Sequence, residues 1–412
     1  MKSNAAKQVS VLSTLFIMST AYIAVFTSVQ GFKAMMPLIQ ADFNLSGAQS
    51  GLYSTFFYLS GVALAIFAGQ IVDKVGSKKG LISGVIVIAS LMLLHTVMPY
   101  FPLILLLAFI TGVGFSVVTP AVNKGIIEMV DPSKRAVSNG IVHAGGGIGG
   151  IIGSSILPAI GERFGWRVSI LLAAGIAFLL AVVLIKRYQP INNNGVGDDE
   201  PRDTKADILA VLKNPLVWMV AMMGMVMGLS IGNMTIHYTL FLTGDLGFTA
   251  STAGAFLSVF IAGGIIGNPG FGYINDRFLN SNRRLSLAAL AFIIAGFFFV
   301  MGSTVIEGVL PSTLLLVFTF VFGMFSFATI GMLFTTIGDV AGPKLIGTAS
   351  GIILISTRLT MVIAPPLIGH LADITGSYAL SWYTIAVIMV VVSFIFLVLT
   401  ASYKSQLRRV SK

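Results

Sequence analysis

The sequence predicts an all-α membrane protein that crosses the bilayer twelve times, and three observations lead to this prediction. Hydrophobic residues make up 56% of the 412 residues, whereas charged residues make up only 10%. The mean hydropathy of +0.94 lies far above that of soluble proteins. The apolar residues also form segments of about 20 residues or more, which is the length that a helix needs to cross about 30 Å of hydrocarbon.

Twelve apolar segments follow one another along the chain, and each is long enough to cross the membrane as a helix. The first segment follows a short basic head, but it is too long for the core of a signal peptide, so it is counted as a helix. The segments lie near residues 11–39, 49–72, 80–98, 102–127, 137–161, 168–185, 215–243, 250–274, 285–303, 312–337, 346–372 and 378–401.

A motif that occurs twice indicates that the chain contains two related halves. Gly69, Asp73 and Lys74 recur in type and spacing as Gly272, Asp276 and Arg277, which lie 203 residues later. The same offset relates Asp42 and Gly51 to Asp245 and Gly254. An internal repeat of this length is typical of transporters that are built from two similar helical bundles.

The polar segment in the middle of the chain defines the predicted domain boundaries. We expect one six-helix half at residues 1–187, a cytoplasmic linker at 188–213 and a second six-helix half at 214–412. A short surface helix is predicted near Lys205–Lys213, before Pro215.

The distribution of basic residues predicts the orientation in the membrane. With both termini inside, 20 of the 25 Lys and Arg residues fall in cytoplasmic segments and only Arg163 and Arg167 fall outside. This bias predicts a multi-pass protein of the cell membrane with both termini in the cytoplasm. The net charge of +10 is therefore interpreted as a topology signal and an attraction to the lipid bilayer, and we expect no nucleic-acid partner.

The two six-helix halves and the repeated motif resemble the major facilitator superfamily over essentially the whole chain. The residues that carry the resemblance are Gly69, Asp73, Lys74, Gly76, Lys78 and Lys79 in the first half, Gly272, Asp276 and Arg277 in the second, and Arg135 after the fourth segment. Ser77 departs from the pattern, because many members have Arg there. The resemblance implies alternating access, with the motif as a gate latch between helices 2 and 3, and it is most similar to the branches that carry anions.

Three basic residues lie within predicted membrane segments, whereas all 15 acidic residues lie at segment ends or in loops. The three are Lys33, Lys124 and Arg358. A retained intramembrane cation needs a cavity or a partner, so the excess of cations predicts an anionic substrate. Each residue also has a structural alternative: Lys33 could reach the outer interface, Lys124 could pair with Glu128 four residues on, and Arg358 could bind helix-end carbonyls.

Polar side chains within the same segments are further candidates. His143 and His237 are the candidates for proton coupling, because histidine titrates near neutral pH. Hydrogen bonds to a substrate are assigned to Tyr22, Gln30, Asn233 and Tyr238, although such residues more often join helices.

The predicted function is secondary active transport of a small anion, most simply an organic carboxylate, and the sequence leaves uniport, proton symport and anion exchange open. A proton-coupled multidrug exporter is the alternative, and a transporter-like sensor or scaffold is the third possibility. We expect no cofactor, metal site or enzymatic activity, because cysteine is absent and the sequence contains no nucleotide-binding, metal-ligand or nucleophile motif. We also expect a monomer.

Overall fold

The fold was obtained as a computed structural model, in which the described residues form helices and no strand. The described residues are 2–64, 67–188, 204–278, 282–303 and 311–410. Most of the predicted linker, residues 189–203, therefore lies outside the described part of the chain.

Helices follow one another with short connections. In chain order they are α1 (Lys2–Ala34), α2 (Met36–Phe43), α3 (Gly47–Ala63), α4 (Phe67–Val75), α5 (Ser77–His95), α6 (Phe101–Met129), α7 (Arg135–Phe164), α8 (Trp166–Arg187), α9 (Thr204–Lys213), α10 (Pro215–Met234), α11 (His237–Gly244), α12 (Ala250–Phe278), α13 (Arg283–Met301), α14 (Ser312–Thr375) and α15 (Ala379–Val410), with a 3-10 turn at Pro132–Lys134.

The prediction of a twelve-span membrane protein is confirmed. Within the described residues, eleven helices are long and apolar enough to cross a membrane, and the number is twelve if the bent pair α3 and α4 is one span. The long helix α14 counts as two spans, Ser312–Gly342 and Lys344–Thr375, because Gly342 has a φ of 73° that interrupts it. The chain is therefore a multi-pass membrane protein.

The first predicted segment, 11–39, is interrupted, because α1 stops at Ala34 and α2 starts at Met36. Pro37 occupies the first turn of α2. Proline has no N–H to donate to the carbonyl of Lys33, and its ring clashes with that carbonyl. The break therefore lies directly beside one of the predicted site residues.

The predicted span 215–243 is also interrupted, at Thr235 and Ile236, between α10 and α11. No proline is present at this break. Instead, the Asn233 side-chain amide donates to the carbonyl of Leu229 (2.8 Å), and the Thr235 hydroxyl donates to that of Gly232 (3.0 Å). Such local bonds offer the backbone an alternative to the helical pattern.

The chain divides into two compact units. The first comprises Met1–Leu45, Leu52–Asp198 and Phe248–Ser258, and the second comprises Ser46–Gly51, Asp199–Gly247 and Val259–Lys412. The predicted halves, 1–187 and 214–412, remain a prediction.

In the first unit, α1 and α7 pack with their backbones in close approach. A Cβ atom on Gly145 would lie 2.9 Å from the carbonyl oxygen of Ser19, and one on Gly149 or Gly153 would overlap the backbone of α1 at Ile23 or Thr27. Glycine at every fourth position thus forms a flat ridge that accepts the neighbouring helix. These glycines therefore serve helix packing.

The second unit uses the same arrangement between α10 and α14. A Cβ on Gly224 would lie 3.3 Å from the carbonyl oxygen of Ile353, and one on Gly228 would overlap the backbone at Thr357. The Thr357 hydroxyl donates to the carbonyl of Gly224 (3.0 Å), which joins the same two helices. Both units therefore use glycine to bring neighbouring helices into backbone contact.

We expect Gly149→Ala to destabilise the protein by about 1–3 kcal/mol, because the added methyl group would push α1 and α7 apart. The matched control is Gly140→Ala in the same helix, where a Cβ meets nothing within 4 Å. There the better helix propensity of alanine should leave stability unchanged or raise it. Thermal unfolding of purified protein in detergent measures both effects. Equal melting temperatures for the two variants would contradict this account of the ridge.

Candidate functional site

Lys33 is fully buried in the first unit, in the last turn of α1. Its Nζ donates a hydrogen bond to the Tyr58 hydroxyl (2.9 Å) and lies 4.4 Å from the centre of the Tyr58 ring and 4.7 Å from that of Phe57. Within the described residues, Lys33 takes part in no ion pair. The alternative that it reaches the outer interface is therefore wrong, and α3 supplies a cage of aromatic rings instead.

The carboxylates that the sequence places at the predicted outer boundary have partners elsewhere. In the first unit, Asp42 accepts from Arg167 (2.6 Å) and Glu162 accepts from the Ser251 backbone N–H (2.8 Å). In the second unit, Asp373 accepts from the backbone N–H groups of Gly47 and Ala48 (2.6 and 2.9 Å), at the N-terminus of α3. The helix dipole favours carboxylates at helix N-termini. These three carboxylates therefore already have partners.

Two buried polar atoms beside the Phe32 ring make no hydrogen bond within the described residues. Tyr53 and His95 are fully buried on α3 and α5, and both rings pack against Phe32. Because His95 Nδ1 contacts the Leu91 carbonyl (2.7 Å), that nitrogen carries the proton. The other ring nitrogen, Nε2, and the Tyr53 hydroxyl make no hydrogen bond within the described residues. Buried polar atoms normally find a partner, so this pair can still bind a small polar group.

The sequence reasoning missed Tyr53, Tyr58 and His95. His95 was detectable, because it lies inside the predicted segment 80–98. The tyrosines gave no signal, because nothing in one sequence indicates that α3 faces Lys33.

A second polar cluster of the first unit joins α1, α6 and α7. The Tyr22 hydroxyl is 2.8 Å from that of Thr119, and the Tyr22 ring meets the His143 ring edge-on at 5.1 Å. His143 Nε2 donates to the Asn123 side-chain oxygen (3.1 Å). The structure thus brings together two predicted residues, Tyr22 and His143, whereas Gln30 is half-buried on α1.

The second unit contains the other predicted polar residues. His237 is fully buried, with Nε2 donating to the Pro365 carbonyl (2.7 Å) and Nδ1 accepting from the Tyr378 hydroxyl (3.1 Å). Tyr238 is bonded to Thr319 (2.5 Å). Asn233 has a buried side-chain oxygen without a partner in the described residues. Arg358 is half-buried in the span Lys344–Thr375.

Lys124 contacts the repeated motif of the first half and does not belong to a central cluster. Its Nζ contacts the Asp73 carboxylate (3.1 Å) and the backbone carbonyls of Asp73 (3.2 Å) and Val72 (3.4 Å). These carbonyls lie at the C-terminal end of α4, where a cation is favoured. The suggested pair with Glu128 does not form, because Glu128 accepts from Ser77 (2.5 Å).

The motif residues lie mostly in helices and not in a loop. Gly69, Asp73 and Lys74 belong to α4, and Gly272 and Arg277 belong to α12. A Cβ on Gly69 or Gly272 would meet nothing within 4 Å, so neither glycine serves close packing here.

Gly76 is the motif glycine whose backbone conformation favours glycine, since its φ is 85° at the start of α5. Lys78 is half-buried nearby, whereas the Asp276 side chain lies outside the described part of the chain. Arg135 donates to the carbonyls of Val130 (3.0 Å) and Ile127 (2.9 Å), at the end of α6.

Ser77, which departs from the family pattern, has a structural role. Its hydroxyl donates to Glu128 and accepts from Tyr188 (3.0 Å). Burial raises the pKa of Tyr188, which lies just beyond α8, to about 12. Tyr188 therefore stays neutral and keeps its proton for this bond.

Comparison with known proteins agrees with this architecture. The family model described as Major Facilitator Superfamily matches residues 18–365. The probable sulfoacetate transporter SauU of Cupriavidus necator is 24% identical over 89% of this chain and 88% of its own. Multidrug resistance protein 2 of Bacillus subtilis is 25% identical over 90% and 92%. The crystal structure of a mutant of the nucleoside transporter NupG has a TM-score of 0.78 and 14% identity, and the match covers 94% of this chain and 99% of that one.

We expect Lys124→Gln to lower stability by about 1 kcal/mol or less, because the end of α4 loses a cation at a partly exposed position. Asp73→Asn should have a smaller effect, since the two backbone carbonyls still accept from Lys124. Thermal unfolding of both variants at low and high salt provides the measurement. A larger loss for Asp73→Asn would show that the ion pair dominates and the carbonyls do not.

Proposed function

Since the family model covers most of the chain, the chain belongs to the Major Facilitator Superfamily, and we propose that it moves a small organic anion across the cell membrane by alternating access. The proposal includes the orientation with both termini in the cytoplasm. Members of this superfamily are transporters and not enzymes, so the prediction of no enzymatic activity is confirmed.

The observation that carries the anion proposal is the buried Lys33 without an acidic partner in the described residues. Removing an ammonium group from water costs several kcal/mol. One hydrogen bond to a charged group returns about 1.5–3 kcal/mol, and each ring contact returns about 0.5–2 kcal/mol. These contacts stabilise the ammonium but leave its positive charge uncompensated. A carboxylate or sulfonate group is the ligand that compensates it.

Selectivity against cations follows from the same electrostatics. A cationic drug would meet the charge of Lys33 at close range, in an environment where repulsion is weakly screened. Exporters of cationic drugs need an acidic group inside the membrane, and in the described residues each ion-paired or helix-capping carboxylate lies at a helix end. The anion hypothesis therefore ranks above the multidrug hypothesis, although a named multidrug protein is among the relatives.

Arg358 is proposed as a second counter-charge, in the second unit. Its planar guanidinium group can hold a carboxylate with two parallel hydrogen bonds, which a lysine cannot do. Lys124 is not retained as a substrate ligand, because the inner end of α4 already binds it.

His143 is proposed as the proton-coupling residue in preference to His237. Both ring nitrogens of His237 are hydrogen-bonded, and Nε2 must keep its proton because a carbonyl accepts from it. His143 is half-buried and uses one nitrogen for Asn123. A proton can therefore be exchanged at His143 without breaking a buried bond.

We expect Lys33→Gln to reduce uptake of the transported anion at least about tenfold, which corresponds to about 1.4 kcal/mol of lost binding or transition-state stabilisation. Proteoliposome uptake of lactate, succinate, glucuronate, sulfoacetate and the cation ethidium measures this effect. Lys186→Gln, which changes an exposed lysine of the same unit, is the matched control. Transport of ethidium alone, or normal anion uptake by Lys33→Gln, would overturn the proposal.

Arg358→Gln is expected to raise the KM for the same anion about tenfold or more, because a bidentate contact is lost. Arg358→Lys retains the charge without the planar fork, so its KM should fall between wild type and Gln. Initial uptake rates over a range of anion concentrations provide the test. A normal KM for Arg358→Gln would remove this residue from the site and leave the Lys33 proposal standing.

A further inference from the structure

The short helix α9 carries an apolar face that the described residues leave partly exposed. Ile208, Leu209 and Leu212 are 39%, 53% and 42% exposed, whereas Val211 is 1% exposed. At about 100° per residue, the three exposed side chains fall within one arc of the helix surface. Val211 points away from this arc, and α9 packs against α14. The exposed arc is thus a separate surface of α9.

We propose that α9 is an interfacial helix that lies on the bilayer with this arc in the lipid and binds anionic phospholipid headgroups through its lysines. The inference does not depend on the transported substrate. It concerns a segment outside the membrane-spanning helices and assigns it a partner of defined chemistry, the surface of an anionic bilayer.

The position of α9 at the membrane surface follows from its attachment to α10. The Asn214 side chain caps α10 by accepting the backbone N–H of Leu216 (3.0 Å), and the backbone N–H of Asn214 donates to the carbonyl of Val211 (3.1 Å). The Trp218 indole N–H donates to the Leu212 carbonyl (2.8 Å). Because α10 is a membrane span, these bonds hold the end of α9 at the level where the span enters the bilayer.

The position of Trp218 indicates the same depth of α9 in the membrane. It is 50% exposed on the first turn of α10 and adjoins the last turn of α9. Tryptophan is enriched at the boundary between headgroups and hydrocarbon, where its ring is apolar and its N–H finds a partner. The apolar arc of α9 and the Trp218 ring therefore form one continuous lipid-facing surface.

Charge complementarity indicates the headgroup. Lys205 and Lys213 lie near the two ends of α9, and Lys213 is exposed. Asp207 is the one acidic residue of the helix. Ala206 and Ala210 are exposed on the remaining side, where small side chains suit contact with water. An amphipathic helix with flanking lysines is the pattern that binds anionic membrane surfaces.

The test uses the absence of cysteine in the natural chain, which permits single labelled sites. Leu209→Cys places a bimane probe in the apolar arc, and Ala210→Cys places it one residue away on the water side. Full-length protein is placed in nanodiscs of phosphatidylcholine with or without phosphatidylglycerol. Quenching is measured with shallow nitroxide-labelled lipid and with iodide. We expect lipid quenching to dominate at residue 209 and iodide quenching at residue 210.

Phosphatidylglycerol should increase lipid quenching at residue 209 by about twofold, and Lys213→Gln combined with Lys205→Gln should abolish that increase. Equal iodide quenching at residues 209 and 210 would overturn the interfacial placement. Protection of residue 209 from both quenchers would also overturn it, because a protein surface or a second copy would then cover the arc. If lipid quenching at residue 209 is the same with and without phosphatidylglycerol, the headgroup assignment would be overturned. Unchanged melting temperatures confirm that the variants are folded.

Discussion

Close backbone contact between helices is the constraint on which the rest of each unit depends. Inside a bilayer the hydrophobic effect does not drive one helix onto another, so association relies on shape and small residues. The ridge of Gly145, Gly149 and Gly153 fixes α1 against α7. The same contact seats the Tyr22 ring beside Gly146 and the His143 ring. The polar cluster therefore has its geometry because the glycines leave room for it.

An interruption in the first span of each unit is the second common feature. In the first unit the break follows Lys33, and in the second it precedes His237. Transporters commonly interrupt spans where substrates or coupling ions bind, because the freed backbone groups need partners. In this chain both breaks carry a buried basic side chain whose contacts come from other helices. The two units thus place different chemistry, an ammonium and an imidazole, at a similar point of a similar helix.

The fold could be predicted largely from the sequence, because membrane spans are long and their apolar character is local. The breaks are harder to predict: Pro37 marks the first, but the Thr235 break depends on side-chain bonds that compete with the helix. The contacts of the site were least predictable. Lys124 is four residues from Glu128 but pairs with Asp73, 51 residues away, and the aromatic cage of Lys33 depends on which face α3 presents.

The buried position of Lys33 also bears on how the protein is assembled in the membrane. A lysine at the middle of a helix opposes insertion by about 2.5–3.5 kcal/mol, and less toward the helix ends. The groups that stabilise its ammonium, Phe57 and Tyr58, belong to α3, which is synthesised after α1. The Lys33 ammonium therefore acquires these partners only after α3 has been synthesised.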